Sequence, residues 1–209
     1  MDLGLGNLIE LKRQLLPSAN QSGTVYDSKL QALGSGVAKA FEKYCNRLFA
    51  RVVGDTYEFS AERDHIIVPR YPLESISQVE YRASMDTGYV VQDASIILNR
   101  MDKAGIVWFA GAMGFWTETA KLTYTGGYWY DTSESENTVQ PVGSTKVPED
   151  LRLAWYLQCR KVWESIDKSG ANITKVGSGA QFVTESLGGL EMVPSVKQVL
   201  DGYRRFAMT

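Results

Sequence analysis

Few residues in this chain have the type and spacing for reaction chemistry. His65 is the only histidine, set beside Asp64 at the start of a β-patterned run. A general base needs a nucleophile within hydrogen-bond reach, and no serine or cysteine motif supplies one. It reads as a surface or edge-strand histidine. The two cysteines, Cys45 and Cys159, fall on or beside apolar helix faces, where a small thiol packs as a hydrophobe. Two buried free thiols are expected, with a bridge between the two helices as the alternative. One histidine and two separated cysteines do not make the roughly four close-spaced N or S ligands of a zinc site. The glycines of Gly34-Ser-Gly36, Gly111-Ala-Met-Gly114 and Gly126-Gly127 lack the lysine, third glycine or helix start of a phosphate loop. They predict turns and a bend. No catalysis, metal or cofactor is expected.

Binding chemistry has more candidates. Trp108, Phe109, Phe115, Trp116, Tyr124, Tyr128, Trp129 and Tyr130 crowd one stretch. Aromatics can stack sugars or bases, but at alternating positions of a small sheet they fill a core. Trp116 and Trp129, flanked by glycines and polar residues, are the two expected to reach a surface, where tryptophan suits a protein interface. Lys39, Lys43, Arg47 and Arg51 follow at i, i+4 spacing, which makes a basic ridge if one helix carries them all. Glu42 offsets part of it, and a net charge of -2 argues against generic coating of nucleic acid. DNA and an acidic surface on a neighbouring subunit compete as its partner.

These residues must be positioned by a chain of 209 residues, which implies one large domain or one core with a substantial insertion. A hydrophobic fraction of 44% and a charged fraction of 22% are globular values. Leu8, Ile9, Leu11, Leu15 and Leu16 predict a first helix that ends before Pro17. Asp27 is placed to cap a second helix running to about Arg51. Val37, Ala40, Phe41, Tyr44, Cys45, Leu48 and Phe49 would occupy an arc of about 140° on it. From residue 55 the period shortens, with β-branched and aromatic runs at 56–59, 65–68, 76–81, 89–91, 95–98, 105–109 and 120–124. Residues 131–146 read as a polar loop. Pro148 opens a third main helix, its face of Leu151, Trp155, Cys159, Val162 and Ile166 buried and its other side carrying Leu153, Tyr156 and Leu157. Pro194 starts a last short helix, and one strand is expected around 181–184. The fold class is α+β, a small helical bundle core with an antiparallel β-rich insertion between the second and third main helices. The divisions are 1–51, 52–130, 131–147 and 148–209. The N-terminus does not read as a secretory signal, and no run approaches the ~20 apolar residues of a bilayer span. The chain is expected to be made in the cytosol and kept there unless a larger assembly carries it out.

The wording of the chain adds to its periodicity. Asp27, Leu30 and Leu33, then Phe41-Glu-Lys-Tyr-Cys-Asn-Arg-Leu-Phe49, then Ile66-Ile-Val-Pro69 and Pro72-Leu-Glu-Ser-Ile-Ser-Gln-Val79 come in order. Leu122-Thr-Tyr-Thr-Gly-Gly-Tyr128, Val147-Pro-Glu-Asp-Leu151 and Val199-Leu-Asp-Gly-Tyr-Arg-Arg205 follow. Together they resemble the head-tail connector family of tailed bacteriophages, also called head-completion or adaptor proteins.

That resemblance implies a structural virion protein without catalysis, made in the host cytoplasm and assembled into the neck. It implies a homo-oligomeric ring, dodecameric, beneath the portal of a DNA-filled capsid. The partners would be the portal protein, the next neck, stopper or tail protein, and passing genomic double-stranded DNA without sequence specificity; no membrane is involved. Portal binding carries over to Tyr203, Arg204, Arg205 and Phe206, whose deletion should abolish portal co-assembly and leave the isolated fold intact. A cyclic ring needs two complementary surfaces per subunit, for which Leu153, Tyr156 and Leu157 and the ridge of Lys39, Lys43, Arg47 and Arg51 are the candidates. Asp131, Glu134 and Glu136 are assigned to the DNA channel, where like charge keeps the genome from sticking. Residues 81–116 exceed the shorter family members and would meet the next tail component. Two rivals are a carbohydrate- or host-binding phage module using Trp116 and Trp129, and a small metal-dependent nuclease, for which no acidic cluster is visible.

Overall fold

A computed structural model describes residues 3–84, 86–110, 119–131, 139–168 and 192–205. The chain forms two compact units: a helical one from Met1–Asn46, Tyr130–Gln140 and Lys146–Thr209, and a β unit from Arg47–Trp129 and Pro141–Thr145. The class is α+β.

The helical unit is built on α1 (Leu8–Leu15), α2 (Asp27–Cys45), α3 (Glu149–Lys168) and α4 (Pro194–Asp201). Asn7 caps α1 by accepting from the Glu10 N–H at 2.8 Å, and the helix stops before Pro17. The expected cap of α2 is displaced: Tyr26 holds that position without a side-chain bond, and Asp27, the first helical residue, pairs with Lys12 at 2.5 Å. Leu30, Leu33, Val37, Phe41 and Cys45 on α2 and Leu151, Trp155 and Cys159 on α3 are all 0–1% exposed. Their i, i+3 and i+4 spacing puts them on the facing sides of two helices in contact. Gly34 is required by this packing. A Cβ there would lie 2.9 Å from the Trp155 ring, whose indole N–H donates to the Gly34 carbonyl at 3.0 Å. Helix α4 closes the group against α3 and α2, with Val196 and Leu200 buried.

Helix α2 is shorter than its periodicity predicts. It ends at Cys45 because Asn46 turns left-handed, φ 51°, and its N–H closes back on the Glu42 and Lys43 carbonyls. Asparagine tolerates this conformation better than other residues with a Cβ. The boundary between the units therefore falls after residue 46, not after 51.

In the β unit, β1 (Val52–Ser60), β7 (Thr119–Gly126), β3 (Leu73–Arg82) and β4 (Val90–Gln92) form one antiparallel sheet in that order. A second sheet has the order β2 (His65–Ile67), β6 (Ile106–Phe109), β5 (Ile97–Met101). Each of the seven runs expected as strands has a counterpart here. Inward residues of both sheets, among them Phe59, Ile66, Val79, Val107, Phe109 and Leu122, make one core. Phe59 and Phe109 stack across it at 5.4 Å. The strand expected near 181–184 lies outside the described residues.

Candidate functional site

The residues that carried the family wording from position 47 to 128 converge on the base of the β unit. Leu48 donates its N–H to the Pro69 carbonyl at 2.8 Å, Tyr128 donates to Phe49 at 2.7 Å, and Arg51 donates to Tyr128 at 3.0 Å. Gly127, at φ 97°, is needed where these strands meet: a Cβ on it would lie 2.5 Å from the Ala50 carbonyl oxygen. Arg47 is 4% exposed. Its guanidinium lies 3.5 Å from the Tyr71 ring centre, 4.9 Å from Phe49 and 5.4 Å from Tyr128, and it donates to the Tyr71 carbonyl. Arg51 forms a two-pronged pair with Glu74, at 2.7 and 2.9 Å, and Arg70 pairs with Asp55 at 2.7 Å. Asp55 also accepts from the Tyr124 hydroxyl at 3.3 Å. Burial first, then the Asp55 charge, pushes the Tyr124 pKa up. Packing chemistry thus accounts for most of the wording here.

The basic ridge is corrected by this geometry. Lys39 and Lys43 stand exposed on α2, but Arg47 and Arg51 lie beyond its end and are engaged inside the β unit. The helix ends before the i, i+4 row is complete.

On the helical unit, Leu153 is 58% exposed and Leu157 43%, one turn apart on α3. Half-buried Tyr156 beside them donates its hydroxyl to Glu10, and burial, then this bond, raises its pKa. Leu153 and Leu157 are the exposed large apolar residues of α3 among those described.

The proposed portal residues are tied into their own chain. The Tyr203 hydroxyl donates to Asp150 at 2.7 Å, and the Arg205 N–H donates to the Cys45 carbonyl at 2.8 Å, at the open end of α2. Arg204 is exposed, 3.9 Å from Asp201 and 5.4 Å from the Tyr44 ring centre. Deleting this segment would remove contacts of the fold, so the expected clean deletion is replaced by substitution. Phe206 lies outside the described residues.

Of the channel candidates, Asp131 is half-buried, and Glu134 and Glu136 lie outside the described residues. Among the aromatics, Phe109, Tyr124 and Tyr128 are buried; Trp108 and Trp129 are half-buried, and Trp116 lies outside the described residues. His65 sits on edge strand β2, its Nδ1 2.6 Å from Asp64, and this bond holds the Asp64 carboxyl below its ordinary range. Cys45 and Cys159 are buried and form no disulfide, and the Cys45 thiol donates to the Leu200 carbonyl at 3.5 Å. Burial pushes the Cys159 thiol up, which keeps it protonated. Among the described residues no group of three or more His, Cys, Asp or Glu gathers as a metal site, and no helix is long and apolar enough to cross a membrane.

No family model and no curated protein matches the chain. Solved structures do. A chain from the neck of an empty gene transfer agent (GTA) particle, computed with C6 symmetry, has a TM-score of 0.56 at 14% identity over 97% of this chain and 91% of that one. A chain from the virion of a native GTA particle gives 0.55 at 13% identity, over 96% and 89%. This chain shares the fold of components of a phage-like neck and virion, over nearly its full length.

Proposed function

We propose that this protein is a structural head-tail connector, an adaptor that forms a ring under the portal, closes the DNA-filled capsid and offers the tail its attachment surface. The observation that carries this is the likeness to a GTA neck chain over 97% of the sequence, spanning both units. The order of the family motifs along the chain agrees with it.

In this role the protein binds and positions, and catalyses nothing. Leu153, Tyr156 and Leu157 on α3 meet the adjacent subunit, with Lys39 and Lys43 supplying charge at the same class of contact. Exposed Arg204 and its neighbours Tyr203 and Arg205 face the portal. Asp131 lines the path of genomic DNA, repelling phosphate. The ring is dodecameric and resides in the virion neck, where the next neck, stopper or tail protein docks on it.

Electron microscopy of the purified chain, with and without a portal, tests this. Rings that stack on the portal vertex are expected, and Arg204→Glu should prevent the stacking while rings still form. A chain that stays monomeric in the presence of portal would overturn the proposal.

A further inference from the structure

The four-stranded sheet ends on two edges that fit each other. Across it, rows of residues can be followed strand by strand from the pairing register. Phe59 faces Ala120, Ala120 faces Tyr81, and Tyr81 faces Val90. Phe59 and Ala120 lie in the core, Tyr81 packs against it, and Val90 is 53% exposed. The core-facing row therefore runs out of the protein at β4. On the opposite face the row is Glu58, Lys121, Glu80, Val91, and Val91 is 61% exposed. The other edge, β1, carries Val52 and Val53, 37% and 68% exposed. Neither Val90-Val-Gln92 nor the start of β1 holds the lysine or proline with which open edges are usually blunted. A register break near Val53 and Gly54 bends only the first part of β1, leaving Thr56 to Ser60 as a regular edge.

Strand direction selects the partner. Every pairing in the sheet is antiparallel, so with the order β1-β7-β3-β4 the two edges run in opposite directions. A second copy carried round by rotation keeps the direction of each strand, and its β1 laid beside β4 continues the antiparallel alternation. The three-stranded sheet β2-β6-β5 lacks this property, because its two edges run the same way. We propose that β4 of one protomer pairs with β1 of the next, so that the sheet continues head to tail from subunit to subunit. The next copy's Tyr57 and Phe59 strand then covers Val90, and the pairing is heterologous, the type that generates rings. This rests on the connector-ring proposal and adds to it the identity of one contact.

The test uses the double variant Thr56→Cys/Val91→Cys of the full chain. The two positions lie on the same face of the sheet, and the native thiols Cys45 and Cys159 are buried. A short bismaleimide, whose spacer tolerates a slip of register, should yield a ladder of two, three and more covalently joined chains on a denaturing gel. Each single variant should stay monomeric. Native mass spectrometry of the same sample reports separately whether rings exist. Rings without a ladder would sink the strand pairing and leave the connector proposal standing, whereas no rings even with portal added would sink both. Dimers from Val91→Cys alone would replace head-to-tail pairing by a two-fold β4 contact and overturn the inference. Val91→Lys should abolish rings with an unchanged melting temperature, and rings that persist in it would count against the pairing.

Discussion

Arg47 and Lys39 look alike in the sequence and behave in opposite ways in the fold. Arg47 is enclosed by Phe49, Tyr71 and Tyr128 and donates to a carbonyl, so Arg47→Ala removes a cation–π contact, a charged hydrogen bond and packed volume. A loss of about 2–4 kcal/mol is expected in urea unfolding, whereas Lys39→Ala should change stability by less than about 0.5 kcal/mol. Equal effects would mean that Arg47 is not buried. Tyr124 gives a second residue-scale test. Its folded pKa is raised, so the neutral phenol is favoured in the fold, and its stability is fully present below the unfolded value of about 10 and lost as pH rises toward the folded value. Cys159, also raised, adds to the loss from about pH 8.5. Thermal melts between pH 8 and 11 should fall with pH, less steeply in Tyr124→Phe; parallel curves would show that Tyr124 is not the titrating group.

At the scale of elements, the end of α2 decides what the basic residues can do. The apolar spacing continues through Leu48 and Phe49, which is why a helix to residue 51 is legible in the sequence. One backbone angle at Asn46 overrides it. Asn46→Val should cost about 1–2 kcal/mol because a β-branched residue resists the left-handed region, while Asn46→Gly should stay within about 0.5 kcal/mol. Denaturant midpoints of the two variants check this, and equal destabilisation would point to the side chain and not to the angle. The strands were easier to foresee. Short β-branched runs between turn residues have few alternatives, and each of the seven expected is present, whereas their order in two sheets depends on pairings between residues as distant as Val52 and Gly126.

At the scale of the molecule, the bare leucines of α3 offer the plainest test of assembly. Leu153→Arg/Leu157→Arg alters two exposed positions, so the melting temperature should move little, while a ring built on this face should dissociate. Sedimentation velocity would report the change, and intact rings in the double variant would remove α3 from the contact. Which α3 residues are bare was partly visible beforehand. The periodicity assigns Leu151 and Trp155 to the core, and packing adds that Leu153 and Leu157, on the second apolar side, stay exposed.

The short strand Thr145–Lys146 lies in a stretch read as polar loop, but taken alone the sequence determined the α+β class, the approximate place of α1 to α4 and β1 to β7, and the scarcity of histidine and cysteine. All of these follow from local period and composition, to which each residue contributes whatever its distant neighbours are. Only the tertiary structure decided that Arg47 and Arg51 serve the β unit and that the four-stranded sheet ends on two edges running in opposite directions. Gly34 and Gly127, too, turned out to be sites of close approach and not merely bends. Those properties arise from contacts between segments far apart in the chain, as between Gly34 and Trp155, and local period cannot register them.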